Sequence, residues 1–225
     1  MILTDSVYSQ SRILETFHLR DEKVKVIYPG ADHILNVPVD PATLDKLGLE
    51  PRKYVLAVGS LYPHKNLTIL HSINWDEFGV DLCVVGEAPS TNAKAFQKVV
   101  DEARAQPRNI HYLGRRSDSE IRSLYMNAFA YVLPSLYEGF GFPPLEAMYC
   151  GCPVIASDRT SIPEVCGEGA LYFDPLSGES LRRVVAQLVD DPQTRDKMIE
   201  NGYKRAREFT WERAARQVMA VLEQI

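Results

Sequence analysis

Short apolar runs rich in valine and isoleucine recur along this chain, and most end in glycine, proline or serine ahead of a stretch with helical character. They read "VKVIYPG", "YVLAVGS", "VDLCVVGE", "NIHYLG", "AYVLPS", "PVIASD" and "ALYFDP". None alternates strictly between apolar and polar residues, so both faces of each strand need cover, as in a parallel sheet packed between helices. Strand, crossover and strand repeated in this way predict an α/β fold with a doubly wound, Rossmann-like parallel sheet whose first strand is "VKVIYPG".

Helix starts are marked chemically. Ser117 with Glu120 forms a capping box, Asp191-Pro192 supplies an N-cap and a first-turn proline, Thr210 precedes "WERAARQVMAVLEQI", and Asp40-Pro41 opens a short helix. Residues 1–20 read as one strand and one helix ahead of the main sheet, like the tail of another unit. Residues 21–190 form the Rossmann-like unit, and residues 191–225 are closing helices that pack back toward that neighbour.

With 45% hydrophobic and 24% charged residues, the 225-residue chain has apolar mass for one sizeable core. Its formal charge of −5 excludes a general affinity for nucleic acid or anionic lipid, so any phosphate must be held by a local site. No run approaches the roughly 18 apolar residues of a membrane span, and "MILTDSVYSQ" lacks the regions of a signal peptide. The expectation is a soluble, cytoplasmic protein. The cysteines, Cys83, Cys150, Cys152 and Cys166, form no paired CxxC units and are expected as reduced, buried thiols.

Open parallel sheets bind ligands beyond the carboxyl ends of their strands. After "AYVLPS" comes "LYEGFGFPPLEAM", in which Gly139 and Gly141 permit positive φ and close backbone approach, and Pro143 suits the first turn of a helix running to Tyr149. Unpaired amides at such a helix start suit phosphate. Glu138 and Glu146 flank this turn, and an ionised acid beside a phosphate is repelled unless it accepts from hydroxyls elsewhere on the ligand. Glu146 is placed to grip ribose hydroxyls and Glu138 to face a sugar beyond the phosphates. After "YVLAVGS", Lys65 stands at an expected helix start, where an ammonium can neutralise a diphosphate leaving group. His64 beside it reads as a loop residue, and Arg115-Arg116 follow "NIHYLG". Taken singly, each feature also fits a plain connection, a helix-dipole partner or a solvated surface charge.

Together these segments resemble the retaining glycosyltransferases of the GT-B fold, family 4, along nearly the whole chain. "VGSLYPHKNL" is similar to the family's donor-phosphate loop, "YLGRRSDSEIRSLYMNAFAYVLPSLYEGFGFPPLEAMYCGCPVIASD" to its central signature with the E-x7-E motif at Glu138 and Glu146, and "IPEVCGEGALYFDP" to the segment after it.

The resemblance implies that Lys65 contacts the donor diphosphate and that Gly139, Phe140 and Gly141 lie along the phosphates and sugar. It also implies that Glu138 approaches the transferred hexose, that Glu146 binds the ribose, and that Arg115 lines the base pocket. Ser60 stands where many members carry arginine, which implies a weaker diphosphate clamp. The chain resembles the C-terminal, donor-binding half of such an enzyme, residues 1–20 being a remnant of the N-terminal acceptor domain. The implied reaction moves a hexose, mannose from GDP-mannose first, from a nucleoside diphosphate sugar to a glycan or lipid-linked acceptor hydroxyl with retention. The setting would be surface polysaccharide synthesis, with peripheral membrane association of the full enzyme.

No Asp-x-Asp occurs in the chain, so no metal or other cofactor is expected. Two alternatives stay open: a nucleotide-sugar-binding module without activity of its own, and a GT-B epimerase or phosphorylase. A dinucleotide dehydrogenase is disfavoured, since no G-x-G-x-x-G follows an early strand.

Overall fold

The computed structural model describes residues 1–59, 62–87 and 109–223. The strands are β1 (Ile2–Thr4), β2 (Val24–Val26), β3 (Tyr54–Val58), β4 (Asp81–Val85), β5 (Ile110–Gly114), β6 (Ala130–Leu133), β7 (Val154–Ser157) and β8 (Ala170–Phe173). The described α-helices are α1 (Val7–Phe17), α2 (Thr43–Leu47), α3 (Asp118–Asn127), α4 (Phe142–Tyr149), α5 (Ile162–Cys166), α6 (Gly178–Asp190), α7 (Pro192–Ala206) and α8 (Trp211–Leu222).

Six strands form one parallel sheet in the order β5-β4-β3-β6-β7-β8. Successive residues of each strand point to opposite faces. Leu56, Cys83, Tyr131 and Val154 therefore join α3 and α4 in one core, while Val55, Val84, Val132 and Ile155 join α6 in a second. Burial on both sides is the physical reason the strand sequences lack polar alternation. The chain runs outward from β3 to β5, then returns to place β6 on the other side of β3. This reversal opens a crevice between the loops that follow β3 and β6.

One strand assignment is corrected. "VKVIYPG" does not begin the main sheet: Val24–Val26 pairs in parallel with Ile2–Thr4 in a separate two-stranded sheet, and the main sheet begins at Tyr54. A three-residue strand is too short for its apolar pattern to specify a partner.

The predicted caps are present at Ser117, Asp191 and Thr210, each side chain accepting from an amide of the following first turn. Asp40 accepts from the Ala42 amide, and its helix starts slightly later than expected, at Thr43. The helix expected at Lys65 is instead a pair of 3-10 segments, Pro63–Lys65 and Leu67–Ser72, separated by Asn66 in the left-handed region at φ 52°.

Two ties hold the ends of the chain onto the main unit. The Glu164 carboxylate accepts from the amides of Val7 and Tyr8 at the start of α1 and from the Tyr28 hydroxyl. At the other end, α8 starts against the segment after β2: Asp32 accepts from the Trp211 amide at 2.9 Å and Ala31 donates to the Phe209 carbonyl.

Gly30 makes the second tie sterically possible, because a Cβ there would lie 2.0 Å from the Trp211 nitrogen. Gly30→Ala is therefore expected to destabilise the protein by about 1–3 kcal/mol through overpacking. A lowered denaturation midpoint with an unchanged m value checks this, and an unchanged midpoint contradicts it.

Candidate functional site

The loops after β3 and β6 are stitched across the crevice by backbone groups. The Leu136 amide donates to the His64 carbonyl at 2.7 Å. The Asn66 side-chain amide donates to the carbonyls of Pro134 at 3.2 Å and Pro175 at 2.8 Å. These bonds fix the turn that carries Lys65, whose ammonium donates to Glu138 Oε1 at 2.7 Å. The Ser135 hydroxyl donates to the same oxygen at 2.6 Å. Both partners are largely buried, Lys65 being 20% and Glu138 13% exposed in their side chains, so the pair sits in a poorly screened environment.

The backbone of Glu138 is held from the loop after β7. Its amide donates to Thr160 Oγ1 at 3.1 Å, and its carbonyl accepts from Ser161 Oγ at 2.9 Å. Thr160 reaches that position with φ of 56°, a left-handed conformation that costs a β-branched residue about 1–3 kcal/mol. Strain is thus stored beside the acid that faces the crevice.

The glycine-rich turn behaves differently from expectation in three respects. Of its two glycines only Gly141 takes positive φ, at 104°. Gly139 instead turns its carbonyl to the Ser6 and Ser9 hydroxyls of α1, at 2.6 and 3.2 Å, and a Cβ there would touch Asp5. Phe140 is only 3% exposed and packs against Tyr28, Phe142 and Phe209, so only its backbone can line a ligand. At the helix start, Pro143 and Pro144 carry no N–H, which leaves Phe142 as the amide donor among the first three residues of α4. This helix start offers fewer amide donors than a helix start normally does.

Glu146 lies one turn after Phe142 on the same face of α4. Its carboxylate is 18% exposed and meets His33 Nε2 at 3.1 Å and the Tyr125 hydroxyl at 3.4 Å. Burial pushes its acidity down, raising the pKa, while the contact with His33 and the hydrogen bond from Tyr125 pull the other way. The phenol of Tyr131, on β6, is fully buried and its pKa is driven well up, first by burial and then by the charges of Glu138 and Glu146. The Tyr131 hydroxyl has no protein partner among the described residues.

The remaining expected residues are placed as follows. Ser60 lies outside the described residues. Arg115 is exposed just beyond the end of β5, while Arg116 beside it is tied to the Leu113 carbonyl and Glu120. His64 stacks on Tyr62 at 5.7 Å. All four cysteines are free, and burial pushes the thiols of Cys83, Cys150 and Cys166 up to about 12. Among the described residues no cluster of His, Cys, Asp and Glu is arranged to hold a metal ion, and no helix is long and apolar enough to cross a membrane.

With that geometry in place, the family model for glycosyl transferases group 1 matches residues 41–205. The chain belongs to the group 1 glycosyl transferases. This group 1 chain is 31% identical over 97% of its length to the O-antigen chain mannosyltransferase B of Escherichia coli, covering 59% of that protein. It is also 31% identical over 99% of its length to the MMP alpha-(1->4)-mannosyltransferase of Mycolicibacterium hassiacum, covering 53% of it. The chain therefore spans little more than half the length of these relatives. Its fold matches that of Anabaena HepE, solved in complex with UDP and glucose, with a TM-score of 0.88 at 22% identity, over 100% of this chain and 63% of that one. The likeness shows a GT-B fold for this group 1 member.

Reading the sequence alone missed His33, Ser135, Thr160, Ser161, Asn66 and Tyr125 as parts of the site. Asn66 had a local signal, since asparagine after a proline turn favours the left-handed region. Ser135 lies three residues before Glu138 in the same loop, whereas His33, Tyr125, Thr160 and Ser161 reach the two acids through tertiary packing and have no spacing that would mark them.

Proposed function

We propose that this chain is the donor-binding part of a retaining hexosyltransferase. It takes a nucleoside diphosphate sugar, GDP-mannose first, and the sugar passes to a hydroxyl of a glycan or lipid-linked acceptor in surface polysaccharide synthesis. The observation that carries this reading is the Lys65–Glu138 pair at the strand-order reversal, one turn of chain from the Gly141–Phe142 helix start and Glu146. A diphosphate laid along that start would draw the ammonium, and Glu146 would accept from the ribose hydroxyls. Glu138 would then face the sugar ring.

Departure of the diphosphate leaves positive charge on the ring and negative charge on the leaving group. A preorganised ammonium and amide lower the barrier by meeting the second, and an ionised acid by meeting the first. The reading includes metal independence, because the sequence lacks Asp-x-Asp and places a lysine where leaving-group charge develops. Mannose is favoured over other hexoses because both relatives described above are mannosyltransferases, and the acceptor-binding part would come from an N-terminal domain such as those relatives have room for.

Calorimetry with GDP and UDP, run beside a transfer assay in the presence of EDTA, tests this. The expected result is micromolar to millimolar binding of one nucleotide and transfer by the full-length protein that survives chelation. Binding without transfer in the full-length protein would favour a non-catalytic binding module, and loss of transfer in EDTA would remove the metal-free mechanism.

A further inference from the structure

Glu146 is held by a chain of polar groups that begins at the far end of the polypeptide. Trp211, the first residue of α8, stacks on Phe142 at 6.3 Å with 21° between the rings. Its indole N–H donates to His33 Nδ1 at 3.3 Å. An indole nitrogen can only donate, so Nδ1 must accept and carries no proton. The ring proton is therefore on Nε2, the nitrogen that faces Glu146 Oε1 at 3.1 Å. Trp211 thus selects the tautomer of His33, and His33 donates to the acid. The Tyr125 hydroxyl reaches the other oxygen, Oε2.

Two further contacts keep His33 in place. Asp32 beside it accepts from the Trp211 amide, and the imidazole lies edge-on to Phe142 at 6.4 Å. The segment 30–36, the start of α8 and the first turn of α4 therefore meet around one carboxylate.

A carboxylate with one donor on each oxygen cannot rotate freely, and lone pairs remain on both oxygens. Such a group is preorganised to accept two neighbouring hydroxyls at once. A single hydroxyl leaves one acceptor site unmet and desolvated.

We propose that His33, with its tautomer set by Trp211, is a positioning residue that orients Glu146 to recognise a vicinal diol, and so determines the preference for a ribonucleotide over its 2′-deoxy counterpart. This rests on the reading of Glu146 as the ribose-binding acid. It further assigns a specificity role to residues outside the motifs that carry the family resemblance.

The test is calorimetric titration of the full-length protein with GDP and 2′-deoxy-GDP, repeated with the uridine pair. Wild type is expected to prefer the ribonucleotide by about 10-fold or more, the range of a hydrogen bond to a charged group. Glu146→Gln should lose most of that preference. His33→Ala should reduce it by about 5-fold, and His33→Gln, whose amide N–H reaches toward the Nε2 position, should restore much of it. Trp211→Phe keeps the ring on Phe142 but frees Nδ1, and should fall between wild type and His33→Ala.

The outcomes separate cleanly. If Glu146→Gln loses the preference while His33→Ala keeps it, Glu146 stands as the ribose acid and the His33 inference is overturned. If neither nucleotide binds, or Glu146→Gln discriminates as well as wild type, the reading of Glu146 fails and this inference falls with it. A merely structural role for His33 would weaken both nucleotides equally and leave their ratio unchanged, which also overturns the inference.

Discussion

Full-length enzyme carrying Lys65→Ala is expected to turn over about 100- to 1000-fold more slowly than wild type, the usual effect of removing one preorganised donor from developing negative charge. The size follows from how firmly the ammonium is placed. Its turn is locked to the loop after β6 by the Leu136 to His64 bond and the Asn66 to Pro134 bond, and to the segment after β8 by the Asn66 to Pro175 bond, so the charge needs little reorganisation during reaction. The substitution also leaves Glu138 as an unpaired acid in a poorly screened crevice, where it repels the incoming phosphates. Lys65→Ala should thus weaken nucleotide binding as well as slow turnover. Adding Glu138→Gln to it should recover part of the binding but none of the turnover. Lys65→Arg should rescue little, because the planar guanidinium presents its donors in a fixed fork and spreads its charge, unlike the compact ammonium. Steady-state kinetics and nucleotide titration of the single and double variants check this. Turnover of Lys65→Ala within about threefold of wild type would remove the lysine from the mechanism.

How far the chain disclosed this site before folding varied with the kind of signal. The strands of the main sheet were legible because burial on both faces demands uninterrupted apolar runs, and Val55, Val84 and Ile155 do pack on the opposite side from Leu56, Cys83 and Val154. Lys65 and Glu138 were legible as candidates because each lies a few residues past a strand end, and Glu146 because it stands in the helix that follows the same glycine-rich turn. Their supports were not. Thr160 and Ser161 follow β7 and His33 follows β2, and nothing in their neighbours shows that they turn back on Glu138 and Glu146. Phe140 illustrates the opposite failure: it lies inside the glycine-rich motif, yet its ring is drawn into the cluster with Tyr28 and Phe209, and its carbonyl accepts from the Ser161 hydroxyl. Gly139 was read as a flexible point, whereas its carbonyl is an anchor for α1. Local patterns report what a residue can do, while long-range pairing decides which of those options is used.

Glu138→Gln should separate the two acids' roles, lowering kcat by about 100-fold while leaving the affinity for a free nucleoside diphosphate unchanged or tighter. The glutamine side chain is nearly isosteric and can still accept from the Ser135 hydroxyl, and the backbone ties to Thr160 and Ser161 do not involve the substituted atoms. What disappears is the negative charge. For a bound diphosphate that charge is unfavourable, and its removal also frees the Lys65 ammonium from a 2.7 Å competitor. For a sugar ring gaining positive charge as the diphosphate departs, the same charge is favourable and nothing else described at the crevice mouth replaces it. Opposite effects on ground-state binding and on turnover are the mark of a group that acts on the reacting sugar. If Glu138 served only to aim the lysine, glutamine would instead weaken nucleotide binding and depress kcat in proportion to Lys65→Ala. Titration with GDP set beside kcat for the same variant distinguishes the two, and loss of affinity with kcat preserved would transfer Glu138 from the chemistry to the scaffolding of Lys65.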